Sequence, residues 1–341
     1  MHKTATFVCV VSLLAAAPAS AQIYESVGIR AQGMAGAFVA VADDADATWW
    51  NPAGLAGGAY FSGVTEYGTL QDPAHETGPG GVALPSWRSN ARAFTMTFPS
   101  LGLSYYRLQV SQIQPFGATA ANGLDRQDQG RAPVVSSSIV LQEFGLTIGQ
   151  SIGSHFVIGS TARLIRGGAG AVTGDPAGAS LDRAEDLERG DTDNEFDLDI
   201  GAMAAFNALR LALVVKHVTE PSFSSGGVDL KLARQARAGV SVTTTGGAVG
   251  SATFAVDADL TRTPTATGDV RHVAGGAEVW TFRRRVGVRG GFAANTVGSA
   301  RPSGSIGGSV AVRTGTYVDA RVTGGSDRSL KGWGVALRVT Y

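Results

Sequence analysis

Three groups of residues have types and spacings that could do chemistry. Gly149-Gln150-Ser151-Ile152-Gly153 fits the G-x-S-x-G pattern, which works when a serine sits on a sharp strand-to-helix turn with a base nearby. Here strand-like alternation continues on both sides of Ser151, and no acid or histidine is spaced to assist it. Asp191, Asp193 and Glu195 occupy alternate positions as in a calcium loop, but Phe196 stands where the sharp turn requires glycine, so a solvated loop is the simpler reading. His75, His155, His217 and His272 are scattered without metal-ligand spacing. The third group is Asp197, Asp199, Asp257, Asp259, Arg285, Arg289 and Arg338, charged residues recurring on one side of otherwise apolar, alternating segments. An interior ion-pair lattice, with Arg285 and Arg289 facing the lumen beside Asp257 and Asp259 of a nearby strand, or a charged eyelet, would use them in that way. The expectation is therefore a chain with no catalytic residues, no metal and no cofactor.

Those charges need strands to carry them. From about residue 58 the pattern has period two, placing alternate side chains in different environments. Trp333, Val335, Leu337, Val339 and Tyr341 share one face, and Gly334, Ala336, Arg338 and Thr340 the other. Phe254, Val256, Ala258 and Leu260 alternate with Asp257 and Asp259, and Phe196, Leu198 and Ile200 with Asp197 and Asp199. Fourteen strands are predicted, at 58–67, 91–98, 100–110, 137–151, 153–167, 194–206, 208–219, 230–245, 249–262, 269–281, 284–294, 302–313, 315–324 and 331–341. Most reach the ~9–11 residues a transmembrane strand needs, against about 5–6 in globular sheets.

The connections alternate too. Pro99, Ile152, Asn207, Gly246-Gly247, Arg283 and Gly315 mark tight turns after even-numbered strands, with a kink in one wall strand the alternative at Pro99. The long loops 68–90, 111–136 and 168–193 follow odd-numbered strands, 263–268 being shorter than the pattern asks. Short periplasmic turns and long external loops are the pattern of an all-β, antiparallel outer-membrane barrel. Aromatic residues sort to the two predicted interfaces, with Tyr60, Phe98, Phe156, Phe206, Phe282, Tyr317 and Tyr341 at one and Tyr67, Phe196, Phe292 and Trp333 at the other. Such a chain would contact outer-membrane lipid and lipopolysaccharide. Its last strand, closing on Tyr341, resembles the C-terminal signal read by the barrel-assembly machinery.

Composition agrees. Glycine supplies 47 of 341 residues, about twice the ~7% of an average protein, while 44% of residues are hydrophobic, which excludes a disordered chain. His2 and Lys3, the apolar run Phe7 to Ala17 and Ala19-Ser20-Ala21 read as a signal peptide cleaved near Ala21. Cys9, the one cysteine, lies inside that run, so the mature chain has no thiol chemistry. Losing Lys3 leaves 27 basic against 28 acidic side chains, and nothing calls for nucleic acid.

Residues 22–57 break the strand pattern. They are rich in small residues that permit close backbone approach, and Asn51-Pro52 favours a turn. A barrel of fourteen strands leaves a lumen that such a segment could fill. The stretch Gly28-Ile29-Arg30-Ala31-Gln32-Gly33-Met34-Ala35-Gly36-Ala37-Phe38-Val39-Ala40-Val41-Ala42-Asp43-Asp44-Ala45-Asp46-Ala47-Thr48-Trp49-Trp50-Asn51-Pro52-Ala53-Gly54-Leu55-Ala56 resembles the opening of the FadL-type outer-membrane transporter superfamily, which includes hydrocarbon channels and the PorV/PorQ-like proteins. The resemblance implies a hatch carrying an Asn-Pro-Ala motif, here Asn51, Pro52 and Ala53, with Gly33, Gly36, Trp49 and Trp50 in the same gating segment, opening a path for a hydrophobic ligand. It also implies an alternative. The acidic, glycine-rich 168–193 and the short 220–229 are poor material for an apolar capture groove, which suits a PorV/PorQ-like barrel holding a secretion partner protein.

Overall fold

The computed structural model describes residues 27–72, 86–115, 133–175, 178–246, 250–265, 268–325 and 330–341. The signal peptide through Ala21, with Cys9, lies outside these residues, as do His75 and the middles of the first two long loops.

Fourteen antiparallel strands close into one barrel: β1 (Ser62–Asp72), β2 (Ser86–Phe98), β3 (Leu101–Pro115), β4 (Val134–Ile152), β5 (Phe156–Gly174), β6 (Asp193–Phe206), β7 (Leu209–Lys216), β10 (Gln235–Thr245), β11 (Ser251–Asp259), β14 (His272–Thr281), β15 (Val286–Asn295), β16 (Ser303–Arg313), β17 (Thr316–Gly325) and β18 (Lys331–Thr340). β1 pairs with β18 from Ser62↔Thr340 to Gln71↔Lys331, which removes both sheet edges. Phe61 and Tyr341 exchange backbone hydrogen bonds just beyond that seam.

The strand number matches the alternation, but several boundaries move. The first strand begins at Ser62 rather than 58 and runs to Asp72, and β4 and β5 reach 19 residues each. The upper ends of β4 and β5 are glycine- and serine-rich, so their alternation is too weak to read as strand. They are stabilised by what packs on them: the hairpin β8 (Ser222–Ser225) with β9 (Val228–Lys231), and the short helix α3 (Leu181–Glu185). A second small hairpin, β12 (Thr263–Thr265) with β13 (Gly268–Val270), occupies the connection that looked too short in the sequence. Pro99 is a turn, because Phe98 pairs directly with Leu101 and Ser100 takes a positive φ of 65°.

The faces are the reverse of a water-soluble protein. Phe144, Leu146, Ile148, Phe196, Ile200, Phe254, Val256, Val288, Phe292, Trp333, Val335 and Leu337 are exposed, while the alternate positions Glu143, Thr147, Asp197, Asp199, Asp257, Arg289 and Arg338 are buried. In water so continuous an apolar surface would aggregate; against hydrocarbon it is the favourable face. Arginine at Val256, near the middle of β11, should cost about 2–4 kcal/mol of folding stability in lipid vesicles. Urea titration of the V256R variant in such vesicles checks this, with a neutral result arguing against a lipid-facing wall.

Candidate functional site

The N-terminal segment 27–57 is almost wholly buried and touches the inward-facing side of most strands. It begins at Gly28, whose φ of 83° turns the chain into the short helix α1 (Ile29–Gly33). The Gly28 and Ile29 amides donate to the two carboxylate oxygens of Glu66 on β1, each at 2.7 Å. One residue on, Arg30 makes a bidentate pair with Glu278 of β14, at 2.9 and 2.5 Å, and also bonds Asp43 and Asp44 of its own segment. Fork-to-carboxylate geometry of this kind is among the strongest polar contacts a protein makes.

The next turn rests on bare backbone. A side chain at Gly276 or Gly291 would collide with Met34, and one at Gly33 would meet Arg289. The amides of Phe38 and Val39 then donate to one oxygen of Asp257 on β11, each at 2.7 Å, and Ser241 of β10 donates to the Ala40 carbonyl at 3.0 Å.

The helix α2 (Ala47–Trp50) delivers the tryptophan pair. Trp49 lies between Tyr106, 4.7 Å between centroids, and two cations, Arg163 at 4.6 Å and Lys216 at 3.5 Å from its ring. Trp50 donates from its indole to the Val27 carbonyl at 3.1 Å and packs on Phe38, with Arg237 over its face. Burial, with Glu66 and Asp44 close by, pushes the nearby Asp46 carboxyl well above the usual carboxylate range.

Asn51 is extended, with φ −164°, and caps a 3-10 helix over Pro52–Gly57 by accepting from the Ala53 amide at 3.0 Å. Its amide donates to Val39 at 3.1 Å and to Ala202 of β6 at 3.4 Å, tying two parts of the segment and the wall together. Gly159 and Gly201 face this turn, where a Cβ would overlap the Pro52 backbone or the Asn51 side chain.

The charged wall residues form a lattice. Glu143 and Asp199 flank Arg163, at 2.8 and 2.5 Å, and Asp319 links Arg289 and Arg338, at 3.1 and 3.0 Å. Two sequence expectations change. Arg289 pairs with Glu278 and Asp319, not with Asp257 or Asp259, because β14 intervenes and its register sets Glu278 opposite Arg289. Asp259 pairs with Arg237 instead. Arg285 is exposed rather than inward: β15 starts only at Val286, and Phe282, Arg283 and Arg284 all have positive φ in the turn before it.

Sequence reasoning missed Arg30, Glu66, Glu143, Arg163, Glu278, Asp319 and Arg321. The available signal was parity, since each wall residue among them is charged at an inward position. It also missed His217, which packs against Asp197 at 2.6 Å beside Asp199, the three sharing ligand-like spacing. Their oxygens are already engaged, Asp197 by Thr219 and His217, and Asp199 by the His217 amide and Arg163. This is a structural knot. Ser151 is exposed at the end of β4, before a strand-to-strand turn that does not present it as a nucleophile.

Two cavities flank the segment. One of about 320 Å³ opens at the long-loop end, with Gln32, Ala35, Gly36 and Trp50 in its lining. Another, of about 640 Å³, lies at the short-turn end between Arg30, Val41 and Asp43 and the β7 to β14 wall.

This closed fourteen-strand barrel has the FadL-type outer-membrane transporter fold. Among solved structures it is similar to the Ralstonia pickettii toluene transporter TbuX, with a TM-score of 0.59 at 13% identity over 93% of this chain and 99% of that one. A Pseudomonas aeruginosa FadL homologue gives 0.57 at 10% identity, covering 94% and 99%. The Pseudomonas putida toluene transporter TodX gives 0.53 at 9%, covering 94% and 97%. No protein-family model matches the sequence, and no curated protein matches it.

Proposed function

We propose that the protein is an outer-membrane channel for small hydrophobic molecules, with residues 27–57 as its hatch. The observation that carries this reading is the position of that segment, buried against the inward wall with a cavity on each side. Its attachments include polar and ionic ones at Glu66, Glu278, Asp257 and Asn51, beside apolar packing of Met34, Phe38, Trp49 and Leu55, so a shift of the segment must break both kinds of contact. The structural neighbours named as toluene transporters support the same class of cargo.

Proteoliposome uptake of toluene tests the reading, with the N51A variant beside the wild type. Losing a cap and two cross-links should weaken hatch seating by about 0.5–2 kcal/mol and change the uptake rate several-fold. Absence of uptake by the wild type, together with an unchanged N51A, would remove the proposal.

A second reading, a PorV/PorQ-like barrel that binds a secretion partner, has one observation in its favour. At the long-loop end, α3 is bound to the wall through Arg88–Asp182 at 2.6 Å and Asn90–Glu185 at 2.9 Å, giving a polar surface unlike an apolar capture groove. Capture of a partner from native membranes that fails when 178–192 is replaced would favour it over transport.

A further inference from the structure

Five arginines are buried among the described residues: Arg30, Arg163, Arg289, Arg321 and Arg338. Four of them lie within ion-pair distance of a carboxylate. For Arg321, on β17, there is no such carboxylate among the described residues. Glu66 on β1, whose charge reaches Arg321 without a direct ion pair, spends both oxygens on the Gly28 and Ile29 amides. Arg321 is 4% exposed, donates to Thr323 at 2.8 Å and to the Thr69 carbonyl at 3.3 Å, and leaves Nε without a partner. A desolvated guanidinium whose direct hydrogen-bond acceptors are all neutral is costly unless an anion completes it.

The surroundings are cleared for the group. Gly332 and Gly68 face it from β18 and β1, and a Cβ at either would stand 2.9 and 3.4 Å from its terminal nitrogens. Arg321 lines the cavity at the long-loop end, whose apolar lining includes Trp50, Leu70, Ala91, Val110, Ala274 and Ala293. A volume of about 320 Å³ is small for a binding pocket and suits a compact body rather than an extended tail.

We infer that this cavity binds monocarboxylates with a compact apolar body, the carboxylate on Arg321 and the body among those apolar residues. The inference rests on the channel reading for its biological use, but not for its test. Acidic residues that also line the cavity, Asp72, Asp257 and Asp269, disfavour dianions.

The test is titration calorimetry on the full-length protein in lipid nanodiscs, with benzoate and its neutral isostere benzamide as probes. Benzoate should bind saturably and more tightly than benzamide. R321Q should weaken benzoate at least tenfold while leaving benzamide unchanged, and R321K should retain part of the affinity. Heat-modifiable migration on gels verifies that each variant is folded. Equal binding of the two probes, unaltered benzoate binding by R321Q, or no binding by either probe overturns the inference. So does abolition of benzoate binding by 0.1 M chloride, which would make this an inorganic-anion site. Failed toluene uptake with intact benzoate binding would instead remove the channel and leave the anion site standing.

Discussion

Replacing Arg30 with alanine should convert a closed barrel into one that conducts. Arg30 joins three carboxylates, two on the N-terminal segment and one on β14, and all but Asp43 are almost fully buried. Removing one partner of a buried ionic cluster typically costs about 3–5 kcal/mol, because the remaining charges lose their counter-ion without regaining water. The barrel wall keeps its own hydrogen-bond ladder, so this cost falls on seating of the segment rather than on the strands. Planar-bilayer recording should show R30A openings that the wild type lacks, together with faster cleavage of the segment by added protease. R30K should lie between, since one ammonium cannot reproduce the fork to Glu278. An R30A protein as silent and protease-resistant as the wild type would show that the segment is held elsewhere.

Gly159→Val should reach the same open phenotype by sterics alone. A Cβ at Gly159 would overlap the carbonyl group of Pro52 and the Ala53 amide, and the obstacle is backbone that cannot rotate aside. The Asn51-Pro52-Ala53 turn must therefore lift from β5, taking with it the Asn51 bonds to Val39 and Ala202. Gly159 pairs with Gly149 and Gly201 across the sheet, and valine is a good strand former, so the wall itself should tolerate the change. The expected result is raised conductance and toluene permeability with a near-normal urea midpoint. A collapsed midpoint would show a wall defect, and wild-type conductance would show that the turn does not close the passage.

Agreement between these two variants would be informative because one removes charge and the other adds volume. Both act on the segment, one at β14 and the other at β5, and neither touches the lipid face.

The barrel could be read from the chain because its physics is local and repetitive. Phe254 to Leu260 and Trp333 to Tyr341 alternate since each strand meets lipid on one side and protein on the other, and that contrast is written residue by residue. The even strand number and the order of short and long connections followed from the same periodicity. Where both faces of a strand are covered, as at the tips of β4 and β5 beneath α3 and β8, alternation fades and the boundaries were misplaced. The Asn51-Pro52-Ala53 turn was visible as a motif, but not its seat on Gly159 and Gly201.

What the tertiary structure alone decided is pairing. Glu278 and Arg289 lie opposite each other only because β14 and β15 adopt one register, and Arg30 finds Glu278 across 248 residues of chain. Gly276 and Gly291 looked like any strand glycines until Met34 lay against them. Parity tells which side of the wall a residue faces, because that is a property of its own strand. It cannot tell what stands opposite in the lumen, because that depends on closure of the whole ring.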